Sequence, residues 1–154
     1  MKKTISTLII ISIMILTITG CKTSKSYTFD VETNEQIKVK LDTTNGERLS
    51  QENGRFTIEN DEEEAISIGM FYLEEAFNEL YDTVETLDGV EVIEIGEKEK
   101  LEFIFYKAKT ETTIEYNYLV KLDNAKSGVV ISNITSEEAA RGVFELLTFE
   151  LNSN

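Results

Sequence analysis

Between Val90 and Ile134 the chain carries four strand-like segments, Val90–Ile95, Leu101–Ala108, Thr113–Leu122 and Gly128–Ile134, joined by short polar connections. Apolar and polar residues alternate along them with the two-residue period of a sheet. Glu97–Lys100 and Asp123–Ser127 are of hairpin length. Parallel neighbours need crossovers of about a dozen residues or more, so these lengths predict an antiparallel meander.

The residues before the meander divide in the same way. Tyr27, Phe29 and Val31 alternate with Thr28, Asp30 and Glu32, and Ile37, Val39 and Leu41 alternate with Lys38, Lys40 and Asp42, with Thr33–Glu35 as a hairpin-length link. Asn45-Gly46 and Asn53-Gly54 are turn dipeptides, and Phe56–Ile58 is a brief strand after the second. Ile66, Ile68, Met70 and Tyr72 mark a further strand with one apolar face.

At Glu74 the period changes. Leu73, Ala76, Phe77, Leu80, Tyr81, Val84 and Leu87 recur at three- and four-residue steps, with Glu74, Glu75, Glu79, Asp82 and Glu85 opposite. This is an amphipathic helix ending near Asp88-Gly89. Thr135–Glu138 reads as a capping box for a second helix, whose stripe is Ala139, Ala140, Val143, Phe144 and Leu147. Gly142 weakens that helix by about 1 kcal/mol relative to Ala, so packing must hold it. Phe149 and Leu151 close the chain as a short strand. The expected fold is α+β: a mainly antiparallel sheet of about seven to nine strands with two amphipathic helices, arranged as a sandwich.

The element order is two early hairpin-like segments, a strand leading into a helix, a four-strand meander and a C-terminal helix. It resembles the Mog1/PsbP-like fold over most of the globular part. The chain departs from PsbP-type sequences at Asp42–Glu47, which has neither proline nor tryptophan.

The N-terminal segment predicts an address. Lys2 and Lys3 precede an apolar run, Leu8–Leu16, and Ile18-Thr19-Gly20 stands directly before Cys21. The arrangement resembles the lipobox of bacterial lipoproteins. That resemblance implies cleavage between Gly20 and Cys21, a diacylglyceryl group on the Cys21 sulfur, and residence at the extracytoplasmic face of a bacterial cell membrane. An uncleaved membrane helix is the plainer alternative, but Thr4–Gly20 lies at the lower limit of spanning length and carries several threonines and serines. Two acyl chains hold a protein stably where one is marginal. The expected organisation is a cleaved leader over 1–20, a lipidated tether over 21–26 and one globular domain over 27–154. Ile37–Asp42 and Ser136–Arg141 also resemble segments of small lipoproteins from low-GC Gram-positive bacteria, a likeness that implies an address and no mechanism.

Charge and missing residue types narrow the function. With 29 Asp and Glu against 15 Lys and Arg the net charge is −14, and loss of Lys2 and Lys3 with the leader takes it to −16. Nucleic acid is excluded as a partner, because its binding needs clustered cations. Anionic headgroups are repelled too, so the domain stands off its membrane on the tether. The chain has no histidine, and lipidation consumes its single cysteine. The usual general base, the commonest metal ligand and every Ser-His or Cys-His arrangement go with them. No glycine-rich phosphate loop is present. A carboxylate pair remains as an enzymatic alternative, but without tryptophan a sugar-stacking cleft is hard to build. No catalytic, cofactor-binding or metal-ligating residue is assigned.

Two clusters carry more than one reading. Glu59-Asn60-Asp61-Glu62-Glu63-Glu64 fits a weak Ca²⁺ site or a solvated loop, and it lacks the Asp/Asn/Gly spacing of a built calcium loop. Tyr116 and Tyr118, with Ile114, Val120 and Leu122, and Phe103 and Phe105 with Leu101, line either a groove or a core; alternating aromatic and β-branched residues favour core. Ile104, Tyr106, Leu119, Val130 and Ile134 give the opposite face an apolar stripe, to be covered by a helix or left as a partner-binding patch. The expected function is a non-catalytic binding or accessory module of the cell envelope, with an envelope protein as partner. The alternatives are a Ca²⁺- or Mn²⁺-responsive assembly factor and a small carboxylate enzyme.

Overall fold

Ten strands and two helices form over residues 23–31 and 34–152, the residues described by a computed structural model. The strands are β1 Ser24–Asp30, β2 Gln36–Asp42, β3 Arg48–Glu52, β4 Arg55–Glu59, β5 Ala65–Leu73, β6 Val90–Lys98, β7 Leu101–Lys109, β8 Ile114–Lys121, β9 Ser127–Asn133 and β10 Leu147–Asn152. Helix α1, Glu74–Thr83, continues into a 3-10 turn at Val84–Thr86, and helix α2 is Glu137–Leu146. A seven-stranded sheet runs in the order β3-β4-β5-β9-β8-β7-β6, and a three-stranded sheet in the order β1-β2-β10. All pairings are antiparallel, so the α+β sandwich and the four-strand meander stand as the sequence predicts.

One face of the large sheet is roofed by the small sheet and α2. Phe103 and Phe105 of β7, Tyr118 and Val120 of β8, and Val129 and Ile131 of β9 pack against Val39 and Leu41 of β2, Phe149 of β10, and Val143 and Phe144 of α2. The sequence-read aromatic stripe is therefore core, although Tyr116 is only partly buried and Ile114 is 44% exposed. Phe105, Tyr118 and Phe144 form a parallel stack with centroids 4.2 and 4.1 Å apart, and Arg141 and Lys98 cap its two ends at 4.7 and 4.9 Å from the rings. Offset stacks and cation–π contacts of this kind add to what burial alone provides.

The other face carries a smaller cluster under α1. Phe77 and Val84 cover Ile104, Tyr106, Leu119 and Val130. Phe77 can land there because Gly128 lies beneath it; a Cβ at that glycine would stand 2.1 Å from the ring. Gly69 plays the same part on the first face, where a Cβ would meet the Phe56 ring at 1.9 Å. Only Phe77 and Val84 of the α1 stripe are fully buried, and Leu73 and Leu87 remain 45% and 42% exposed.

Several boundaries differ from the sequence reading. Strand β3 has one buried residue, Leu49, and its polar remainder shows no alternation, so it was invisible to periodicity. The cap of α2 is Ser136 rather than Thr135: the Asn133 side-chain oxygen accepts from the N–H groups of Thr135 and Ser136 at 2.8 and 3.2 Å, which delays the helix by one residue. The Ser136 hydroxyl then accepts from the Ala139 N–H at 3.0 Å. Leu147 opens β10 instead of ending the helix, since the Lys98 ammonium donates to the carbonyls of Phe144 (2.6 Å) and Leu147 (3.3 Å) at that junction. The β6–β7 connection shrinks to Glu99-Lys100, both with positive φ.

Candidate functional site

The course of α1 decides what stays open. The helix leaves the end of β5, crosses the second face and returns at the start of β6. It buries Leu119, Ile104 and Tyr106 of β8 and β7 on the way. The part of that face built by β4, β5 and the end of β9 lies outside its reach. There a groove of about 350 Å³ opens, lined by Ile68 and Met70 of β5 and Val130, Ser132 and Ile134, with Arg55 and Glu115 at its margins. Ile68 is 42% and Ile134 67% exposed. A larger cleft of about 570 Å³ adjoins it at the β3–β4 turn and the start of α1, and the two share Arg55, Met70 and Tyr72. The smaller groove is the more apolar and is the candidate site.

Strand register explains why apolar groups end on this side. Glu59 pairs with Ala65 but Ile58 with Ser67, so a bulge at Ile66 sets the alternation of β5. Ser67, Gly69 and Phe71 then point into the sandwich, leaving Ile68, Met70 and Tyr72 on the open side. Of the apolar set that the sequence marks on this strand, Ile68 and Met70 thus line the groove on the face without a full roof, while Ile66 also packs against the main core and Tyr72 against the cluster under α1. Buried Ser67 is satisfied by the Asn133 side-chain amide at 3.0 Å, and buried Asn117 accepts from Ser132 at 2.6 Å. The polar groups behind the groove are hydrogen-bonded, and the adjoining cluster under α1 holds two tyrosines shifted by burial. Burial pushes the Tyr106 hydroxyl up to about 12, with Tyr72 and Glu115 adding to the effect, and raises Tyr81, helped by Glu102 and Asp82.

The sequence also held a charge signal that strand and helix patterning passed over. From Phe56 to Glu97 there are 14 acidic residues and no Lys or Arg, while the rest of the chain holds 15 of each sign. The whole net charge therefore comes from β4, β5, α1, β6 and their links. Of those acids only Glu63, Glu91 and Glu94 form ion pairs among the described residues, with Arg48, Lys107 and Arg141. Glu64 directly precedes Ala65, and Ala65 and Glu115 both line the groove.

The other sequence-marked features divide. Gly20 and Cys21 lie outside the described residues. The loop 59–64 is organised by Asn60, whose side-chain oxygen accepts from the N–H groups of Glu62 and Glu64 at 3.0 and 2.9 Å, and Glu63 pairs with Arg48. Among the described residues no group of three or more His, Cys, Asp and Glu side chains is placed to hold a metal ion. No described helix is long and apolar enough to cross a membrane. Ile134, marked from its stripe, is exposed in the groove, whereas Ile104, Tyr106, Leu119 and Val130 of that stripe are buried under α1. No protein-family model and no curated protein matches the chain.

Proposed function

We propose that the chain is a lipoprotein of the extracytoplasmic face of a bacterial membrane, anchored through Cys21, whose acidic domain acts as a non-catalytic binding module for an envelope protein. The observation that carries the binding role is the uncovered apolar groove of Ile68, Met70 and Ile134 on a domain whose other sheet face is roofed. Large exposed apolar side chains gathered on one rigid face mark an interaction surface. The lipobox-like Ile18–Cys21 supports the anchor, and the resemblance in element order to the Mog1/PsbP-like fold belongs to the same reading.

Strand β1 begins at Ser24, paired with Asp42, so Ser24–Ser26, expected in the tether over 21–26, belong to the sheet. Thr23, two residues beyond Cys21, is held beside Thr43 by a 2.9 Å bond from the Thr43 N–H and a 3.1 Å hydroxyl contact. The 43–46 turn approaches the acidic loop, since a Cβ on Gly46 would lie 3.4 Å from that of Asp61. An anchor at Cys21 turns this acidic end toward the bilayer, and repulsion from anionic headgroups keeps the domain spaced from it. Without histidine or a free thiol, the domain has no Ser-His or Cys-His pair, which favours the binding role.

The test is replacement of Cys21 by Ser in the native host. The expected outcome is loss of acyl label and release of the protein from the membrane fraction; full retention with an intact initiator methionine by mass spectrometry overturns the anchor.

A further inference from the structure

The groove and the charge distribution together select an occupant. We infer that the open part of the large sheet docks a cationic amphipathic polypeptide segment, its apolar side chains seated on Ile68, Met70 and Ile134 and its Lys or Arg residues facing Glu115 and the Glu59–Glu64 loop. This deepens the binding role proposed above and rests on it. A second copy of the chain is disfavoured there, because each copy would bring a net −14 to the other. An anionic lipid surface is disfavoured for the same reason. A basic partner is attracted over the range of about a Debye length, roughly 10 Å at 0.1 M salt.

The polarity of the groove gives the partner an orientation. Glu115 lines the groove, and the Glu59–Glu64 loop adjoins the end at Ala65 and Ile134. Arg55, the only cation lining the groove, makes no ion pair or side-chain hydrogen bond among the described residues. It is placed to meet a backbone carbonyl or a single carboxylate of the partner, while the Lys or Arg residues lie toward Glu115. Apolar contact supplies a large part of the affinity and charge supplies partner choice and encounter rate.

The probe is a synthetic amphipathic helix of Leu and Lys, with a matched Leu and Glu helix as its counterpart. Binding is read by fluorescence anisotropy on the full chain in phosphatidylcholine nanodiscs, at about 20 and 200 mM salt, against empty nanodiscs. The Lys peptide is expected to bind at least about tenfold more tightly than the Glu peptide, with the preference shrinking at the higher salt. The double variant Ile68→Ser, Ile134→Ser is expected to lose about tenfold in affinity or more while keeping its circular dichroism and melting behaviour, both side chains being already part exposed. Ile95→Ser, at a 60% exposed residue on edge strand β6, is expected to leave binding unchanged. Equal binding of the two peptides overturns the inference. So does a loss at Ile95→Ser equal to that of the double variant, or no loss in the double variant, since either would mean charge adsorption without a seat. Failure of Cys21→Ser to release the protein would sink the anchor alone, so the two readings fail separately.

Discussion

The two helices are each ten residues long and lie on opposite faces of one sheet, yet they are held by different means. Helix α2 is fastened at both ends and along its side. Ser136 caps its start, Lys98 takes the carbonyls at its finish, and Arg141 pairs with Glu137 (3.0 Å) and Glu94 (2.6 Å) while lying over Phe105. Helix α1 has Leu73 at its N-cap with no side-chain bond, no basic residue in its last turn, and no ion pair from Glu74, Glu75, Glu79 or Asp82 among the described residues. Unmatched carboxylates near a helix C-terminus oppose the macrodipole. Phe77 on Gly128 and Val84 below carry its attachment. The face with the tightly fastened helix is closed, and the face with the sparsely held one keeps a groove.

Alkaline unfolding compares the interiors beneath the two helices and is the largest effect expected. Burial pushes Tyr118, on the α2 side, and Tyr106, on the α1 side, up to about 12 from an ordinary value of 10. A raised tyrosine keeps its proton in the native state, so its contribution is complete below pH 10 and is lost as pH rises through 12. Such a shift corresponds to on the order of 2–3 kcal/mol for each residue. Urea midpoints measured from pH 9 to 12 should fall steeply, and Tyr118→Phe and Tyr106→Phe should each remove a substantial part of the slope, Tyr81 contributing as well. A slope unchanged by Tyr106→Phe would show that water reaches the cluster under α1, which would sharpen the contrast between the two faces.

Glycines give the next test. Gly128→Ala forces a Cβ against Phe77 and should destabilise by about 1–3 kcal/mol, with α1 losing amide protection first. Gly142→Ala in α2 meets open space and should stabilise by about 0.5–1 kcal/mol. If Gly128→Ala proves neutral by urea denaturation, Phe77 does not anchor α1.

The sequence made the meander and the α1 period legible because hairpin lengths and a long amphipathic run are local signals, and both survive in the structure. Strand β3 was not legible: it is an edge strand paired only with β4, so a single inward Leu49 suffices to seat it. The site was half legible. Ile134 and the apolar set on β5 could be marked from alternation, but which face of β5 would be roofed depends on the bulge at Ile66 and on Phe56 lying over Gly69, both tertiary facts. The charge asymmetry was fully present in the sequence; which of its acids stand near the groove needed the topology, which brings the Glu59–Glu64 loop beside Ala65 and leaves β6 at the opposite edge of the sheet.

The smallest effects come from exchanging the start signals of the helices. Ser136→Ala removes the bond to the Ala139 N–H and should cost about 1 kcal/mol, partly buffered because Asn133 still holds Thr135 and Ser136. Leu73 already has the extended backbone of an N-cap, φ −61° and ψ 150°, and is 45% exposed, so Leu73→Ser adds an acceptor for a free α1 N–H at little loss of burial. A gain of about 0.5 kcal/mol or more is expected in urea denaturation. Because the serine acts at the helix start, away from Ile68 and Ile134, peptide binding in the groove should stay unchanged. A gain in stability accompanied by weaker binding would mean instead that α1 must loosen for the groove to be used, and the open face would then owe its shape to the weakly held helix beside it.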